Sequence, residues 1–222
     1  MNKTTKLMRQ LLMIWTDFEG KLLKTPYMKR VMNEELRLKD YQEFLINHYH
    51  QVIEGSRWIS RAASSIDNNY LEIRSMFMKH ANTEHRDYEM IKSNFVATGG
   101  HLDLLLNSQK NIGSEALSAW MFYQASHVNP FHLIGAMFII EGLGKHIAKT
   151  FANKVKKQLN LSDKQVSFYL YHADHDEDHL DQIENLFHYN ILDIDGMFNS
   201  ILKTARVTGR LYLLQIEELG NY

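Results

Sequence analysis

His172-Ala-Asp-His-Asp-Glu-Asp-His179 puts three histidines and four carboxylates into eight residues. Its flanks repeat apolar residues at helical spacing: Val166-Ser-Phe-Tyr-Leu-Tyr171 before it, and Leu180, Ile183, Leu186 and Phe187 after it. The run therefore lies inside a helix and not in a loop. At about 3.6 residues per turn, His172, Asp176 and His179 share an arc of roughly 60°. Ile183 and Leu186 continue that stripe. Two imidazoles and a carboxylate thus stand on the face that the apolar residues assign to the core, where isolated charges are costly. A metal ion is one way to hold them there.

The same reading extends along the chain. Leu7, Leu11, Ile14, Trp15, Phe18 and Leu22 repeat at three and four, which predicts a helix over 4–24. Thr25-Pro26 reads as a cap followed by proline at the first helical position, opening a short helix to about 35. Further helices are expected over 39–65, 67–98, 114–129 and 131–159, then one capped by Ser162-Asp163 that contains the opening run, and a last one from Asp193 or Asp195 to about 219. His101 to Ile112 reads as a short helical turn and a loop. No segment alternates long enough to be a strand, and there is no solenoid period, low-complexity tract or linker. The expectation is an all-α fold, one domain over 1–222, with about seven or eight helices.

Composition narrows the function. The 222 residues suffice for a sizeable core, and 45% apolar with 23% charged residues is ordinary for a globular protein. A net charge of −1 gives no support for nucleic acid or an anionic membrane as partner. Cysteine is absent, which removes disulfides, thiolate ligands and a cysteine nucleophile together. The apolar run Leu11–Trp15 is too short and too soon charged for a secretory signal, and nowhere do 18 apolar residues run together. A cytoplasmic protein is the expectation.

Two further features point at the same chemistry. His80, Glu84 and Asp87 repeat the four-then-three spacing of His172, Asp176 and His179, on a stripe running from Ile73 and Phe77 to Ile91. His85 lies off that stripe by ~100° and replaces Asp87 only if the helix is irregular there. Glu141 is the only charge across Leu133–Gly144, an otherwise apolar stretch, so it is expected to be buried with a partner. Two helices each offering three ligands, with Glu141 as a third side, is how carboxylate-bridged two-metal sites are built in bundles. Oxygen and imidazole donors without thiolate suit iron, manganese or zinc. His48, Tyr49, Tyr123, Phe138 and Tyr169, with Trp58, are the residues expected to line a substrate pocket.

His172-x-x-x-Asp176-x-x-His179, with the lone Glu141 about thirty residues earlier, resembles the heme-oxygenase-like di-iron oxidases and oxygenases. These are relatives of TenA-type thiaminases and the PQQ-synthesis protein C. Tyr41-Gln-Glu-Phe-Leu-Ile-Asn-His-Tyr-His50 is similar to the third-helix region of that superfamily. The resemblance implies a heme-oxygenase-like helical bundle in which Glu141, His172, Asp176 and His179 bind iron, as one ion or two. In the earlier helix, where the family usually has a Glu followed by a His, this chain has His80 and Glu84 followed by Asp87. The activity implied is oxidation of a small organic substrate by O2. A metal-free enzyme or small-molecule binder of the TenA or PQQ-synthesis type is the alternative, although the usual thiaminase cysteine is missing. A non-catalytic helical module with a buried salt-bridge network is the third reading. Heme is disfavoured because the first helix carries no histidine; the earliest is His48. A homodimer is the assembly to expect where the apolar helix ends remain exposed.

Overall fold

A computed structural model describes residues 2–220; at 176–182, 184 and 188 the backbone alone is described. Among the described residues there is no strand. The chain is an all-α single domain whose helices follow in the order α1 (Lys3–Leu22), α2 (Pro26–Met32), α3 (Leu38–Val52), α4 (Gly55–Ser64), α5 (Leu71–Glu84) and α6 (Asp87–Ala97). After these come α7 (Leu102–Asn107), α8 (Ile112–Ala125), α9 (Ile134–Leu143), α10 (Lys149–Leu159), α11 (Ser167–Leu186) and α12 (Met197–Glu217).

Local chemistry sets several of these boundaries. Asn2 accepts a hydrogen bond from the Thr5 amide at the start of α1. Thr25 caps α2, with Pro26 as its first residue. Asn111 caps α8 by accepting from the Ser114 amide at 2.9 Å. Gly196, at φ +75°, turns the chain into α12, which starts at Met197 and not at Asp193 or Asp195.

α12 runs through the middle of the bundle and packs against α1, α8 and α9. Leu7, Leu11, Trp15, Phe18 and Leu22 form the buried stripe of α1, and Ile201, Leu202, Ala205, Tyr212, Leu213 and Ile216 that of α12. Full burial of such side chains contributes about 1.5–3 kcal/mol each. Two glycines set the spacing of α9. A Cβ on Gly135 would lie 2.1 Å from the Ile201 carbonyl oxygen, and one on Gly142 would meet the Trp15 ring.

Three stretches that read as single helices depart from regular α geometry. The helix expected over 39–65 breaks at Ile53-Glu54. The one expected over 67–98 begins with a 3-10 turn and breaks between Glu84 and Asp87, where Arg86 leaves helical geometry (φ −118°, ψ 2°). α6 then restarts with Asp87 and Glu89 in its first turn, where the helix dipole favours carboxylates. The helical run 131–159 is continuous but widens into a π turn at Gly144–Ala148. Its most apolar window is 67% buried, which accounts for its composition as core.

Candidate metal centre

Side chains from four helices come together beside the break between Glu84 and Asp87. α5 supplies His80 and Glu84, the start of α6 supplies Asp87, α9 supplies Glu141 and α11 supplies His172. His80 Nε2 lies 3.1 Å from Glu141 Oε1, and His172 Nε2 lies 3.3 Å from Asp87 Oδ2. Glu84, Asp87 and His172 each present a ligand atom, all within 4.8 Å of one another. His80, Asp87, Glu141 and His172 are buried.

The electrostatics of the cluster are those of a site short of positive charge. Burial pushes the Glu84 carboxyl up to about 9, and the neighbouring Glu141 and Asp87 carboxylates push in the same direction. At that value Glu84 is protonated at neutral pH. His48 on α3 faces the cluster. Burial, with His172 nearby, depresses it to about 3, so its ring is neutral. Its Nδ1 lies 3.0 Å from the Tyr169 hydroxyl, and the two rings stack.

His80, Glu84, Glu141 and His172 line a cavity of about 150 Å³. Most of its remaining wall is apolar, including Trp58, Leu117, Met121, Met137, Ile140 and Phe168; His48 and Tyr169 complete the side nearest the cluster. Gly144, Ile147 and Ala148 of the π turn also line it. π turns concentrate at functional sites because the extra residue per turn displaces the backbone that follows.

Of the residues expected at the site from sequence, His80, Glu84, Asp87, Glu141 and His172 are brought together. Asp176 and His179 lie farther along α11, and their side chains are outside the described residues. Asp87 arrives by a different route from the expected one, as the first residue of a new helix and not one turn further along the same one. His85, at the break, is exposed, with Nδ1 3.1 Å from the Asn82 carbonyl. His48, Trp58 and Tyr169 line the cavity. Tyr49 and Phe138 are buried elsewhere, and Tyr123 is 62% exposed on the outer face of α8. The reason is helix phase, because Leu117, Ser118 and Met121 hold the inward face of α8. Sequence reasoning missed Gln51, Glu54 and Ser118, which also line the cavity. Glu54 reads as an ordinary surface acid unless the break at Ile53-Glu54 is known.

A family model described as iron-containing redox enzyme matches residues 42–213, a span that includes every member of this cluster. The chain belongs to the iron-containing redox enzyme family. No curated protein matches the sequence. Among solved structures, this family member is similar to a domain with a heme oxygenase-like fold from Shewanella denitrificans OS217. The TM-score is 0.88 at 16% identity, covering 98% of this chain and 91% of the other. It is also similar to a TenA homologue from Pseudomonas syringae pv. tomato DC3000 (TM-score 0.80, 13% identity, 97% and 93% covered). A TenA homologue from P. horikoshii OT3 gives a TM-score of 0.77 at 13% identity, with 100% and 99% covered. At these identities the likeness establishes the fold, which is heme oxygenase-like.

Proposed function

We propose that this family member is a non-heme iron oxidase or oxygenase that acts with O2 on a small organic substrate held in the cavity. The observation that carries the reading is the convergence of His80, Glu84, Asp87, Glu141 and His172 in one cluster, all of which but Asp87 line an apolar cavity. Three carboxylates and two imidazoles, with no thiolate, form a donor set suited to iron, with manganese or zinc as chemical competitors. The raised Glu84 supports the same reading, because a cation at the cluster would offset the burial and the neighbouring carboxylates that push its carboxyl up. Asp176 and His179, on the same helix as His172, are assigned to complete the set for one ion or two.

Iron bound there supplies the activation of O2, which side chains alone do not perform. The protein supplies the rest. Asp87 and Glu141 orient the His172 and His80 rings through their close contacts. Glu84, released of its proton, would hold the ion as a carboxylate. His48, neutral and fixed by Tyr169, offers a hydrogen-bonding group beside the cluster without adding positive charge that would repel a metal. Trp58, Met121, Met137 and Phe168 exclude water and leave room for a compact apolar substrate.

A second reading has its own support. Both imidazoles already have carboxylate neighbours, and the TenA homologues share the fold, so the cluster suits metal-free acid–base work as well. One experiment separates the two. The protein is loaded anaerobically with Fe(II), desalted and analysed for metal alongside Glu141→Ala and His172→Ala. The iron reading predicts about one or two ions per chain in the wild type, a loss in both variants, and O2 uptake by the loaded wild type. Background iron in all three proteins overturns it. Turnover of an aminopyrimidine by metal-free protein then supports the second reading.

A further inference from the structure

The cavity wall beside the cluster holds one polar atom that is both accessible and without a protein partner. His48 of α3 lines the cavity and is 8% exposed. Phe44, Phe168 and Tyr169 pack around its ring, with centroids 5.2 Å, 5.2 Å and 5.8 Å away, and hold its orientation. Nδ1 lies 3.0 Å from the Tyr169 hydroxyl. Nε2 has no hydrogen-bond partner among the described residues, and it is not sealed. Unlike His132 Nε2, which is buried without a partner, it keeps accessible surface. The accessible edge of a buried residue in a cavity wall is the edge that a small molecule in that cavity meets.

Proton accounting decides what Nε2 offers. Burial depresses His48 to about 3 and raises Tyr169, so the imidazole is neutral and the phenol keeps its proton. A neutral imidazole carries one N–H, and its other nitrogen accepts. The Tyr169 hydroxyl has no partner but His48 among the described residues. With the proton on Nδ1, that nitrogen would donate to Tyr169, and the buried phenol hydrogen would be left without an acceptor, a costly arrangement. With the phenol donating to Nδ1, the proton sits on Nε2 and the contact is satisfied. Nε2–H is then a donor presented to the cavity. The same wall carries Glu84 and Glu141. Glu84, protonated at neutral pH, is the rival donor there. In ligand cavities a few such polar groups in an apolar wall fix orientation and specificity.

We infer that His48 is a specificity residue of this cavity: its Nε2–H, held in that tautomer by the Tyr169 hydroxyl, binds an acceptor oxygen of the substrate. The substrate class is a compact carbonyl compound, such as a ketone, an ester or an amide. The volume limits its body, since a cavity of about 150 Å³ accommodates a benzene-sized molecule. His48 touches the substrate, and Tyr169 is a positioning residue that acts through it. The inference names the substrate class of the cavity assigned above and rests on that assignment. It invokes no metal, and its test uses metal-free protein. Neutral probes are required, because the carboxyl groups of the cluster would attract a cationic head or repel an anionic one whatever His48 does.

The test measures binding of cyclohexanone and methylenecyclohexane to the metal-free full chain by calorimetry. The two have the same shape, with a CH2 group in place of the carbonyl oxygen in the second. His48→Asn keeps an acceptor for the Tyr169 hydroxyl and removes Nε2. The ratio of cyclohexanone to methylenecyclohexane affinity is expected to fall about tenfold in that variant, the size of one net hydrogen bond. Solvation of the free ligands cancels in the comparison of the two proteins. The second readout is nitrogen-15 spectroscopy of histidine-labelled wild type, with the His48 signals identified as those that Tyr169→Phe alters. Nε2 is expected to be the protonated nitrogen and Nδ1 the bare one, and cyclohexanone is expected to shift Nε2 more than methylenecyclohexane does. This spectrum decides even where His48→Asn does not fold. A His48→Asn protein that keeps the ratio gives the donor role to Glu84 and overturns the inference. So does a His48 ring protonated on Nδ1, an Nε2 signal that cyclohexanone leaves unmoved, or a wild type that binds neither ligand. Iron loading measured on the same wild-type preparation is independent of these outcomes, so failure of the donor subsite and failure of the iron reading are distinguishable.

Discussion

Glu84 and His48 make opposite demands on pH, and the contrast isolates one residue. Glu84 is raised to about 9 in the fold, from an ordinary carboxyl value of 4.5. Its stabilising contribution is complete below 4.5 and is lost as pH rises toward 9. His48 is depressed to about 3, so its contribution is present above 6.5 and is lost as pH falls toward 3. Between pH 7 and 9 His48 is neutral in both folded and unfolded chains, and Glu84 alone of the two changes. Metal-free wild type is expected to lose stability across that window, by at most about 1.4 kcal/mol per pH unit from this group. Glu84→Gln is expected to flatten the dependence, as thermal melts at several pH values will show. An unchanged slope in the variant removes Glu84 from the account. On the iron reading, Fe(II) binds the ionised carboxylate, so metal affinity is expected to rise with pH over the same range. The burial of Glu141 was legible in the sequence because it is the only charge across twelve apolar positions. The state of the His48 ring was not, because Tyr169, which fixes it, stands 121 residues along the chain.

At the scale of helices, the irregular joints carry the geometry. Helical periodicity found the elements well, and local capping chemistry found the start of α2. It did not find the break before Asp87 or the π turn after Glu141. Both lie in stretches of unbroken amphipathic pattern, and packing against neighbouring helices, not propensity, fixes them. Gly144–Ala148 inserts one residue into the run from Phe131 to Leu159. Deleting Lys145 restores regular α geometry and rotates everything downstream by about 100°. Phe151, Ala152 and Val155 then leave the core. The deletion is expected to lower Tm sharply and to abolish metal binding, measured by calorimetry and metal analysis. A variant that keeps both shows that the wide turn is incidental. Asn111 ties three helices at one point. It caps α8, its Nδ2 donates to the Gln215 carbonyl of α12, and its amide donates to Asn47 Oδ1 of α3. Asn111→Ala is expected to cost about 1–2 kcal/mol in a denaturant titration. A cost near zero means that water replaces the cap.

For the molecule as a whole, the all-α class and the helix order followed from apolar spacing, while the depth of helix contact did not. Gly135 shows why. A glycine in an apolar helix looks like a weak point in the sequence, yet its missing Cβ lets α9 lie against the Ile201 carbonyl of α12. Gly135→Ala is expected to force the two helices apart and to cost about 1–3 kcal/mol or more, read from denaturant unfolding. Because α9 also carries Glu141, iron capacity is expected to fall with it. Full stability in Gly135→Ala contradicts the packing described. The central claim is that a metal occupies the junction of α5, α6, α9 and α11. The most direct measurement is anomalous diffraction at the iron edge from crystals loaded anaerobically with Fe(II). The account predicts an anomalous peak within bonding distance of side chains among His80, Glu84, Asp87, Glu141 and His172. Crystals that hold stoichiometric iron elsewhere, with no anomalous peak at that junction, contradict it.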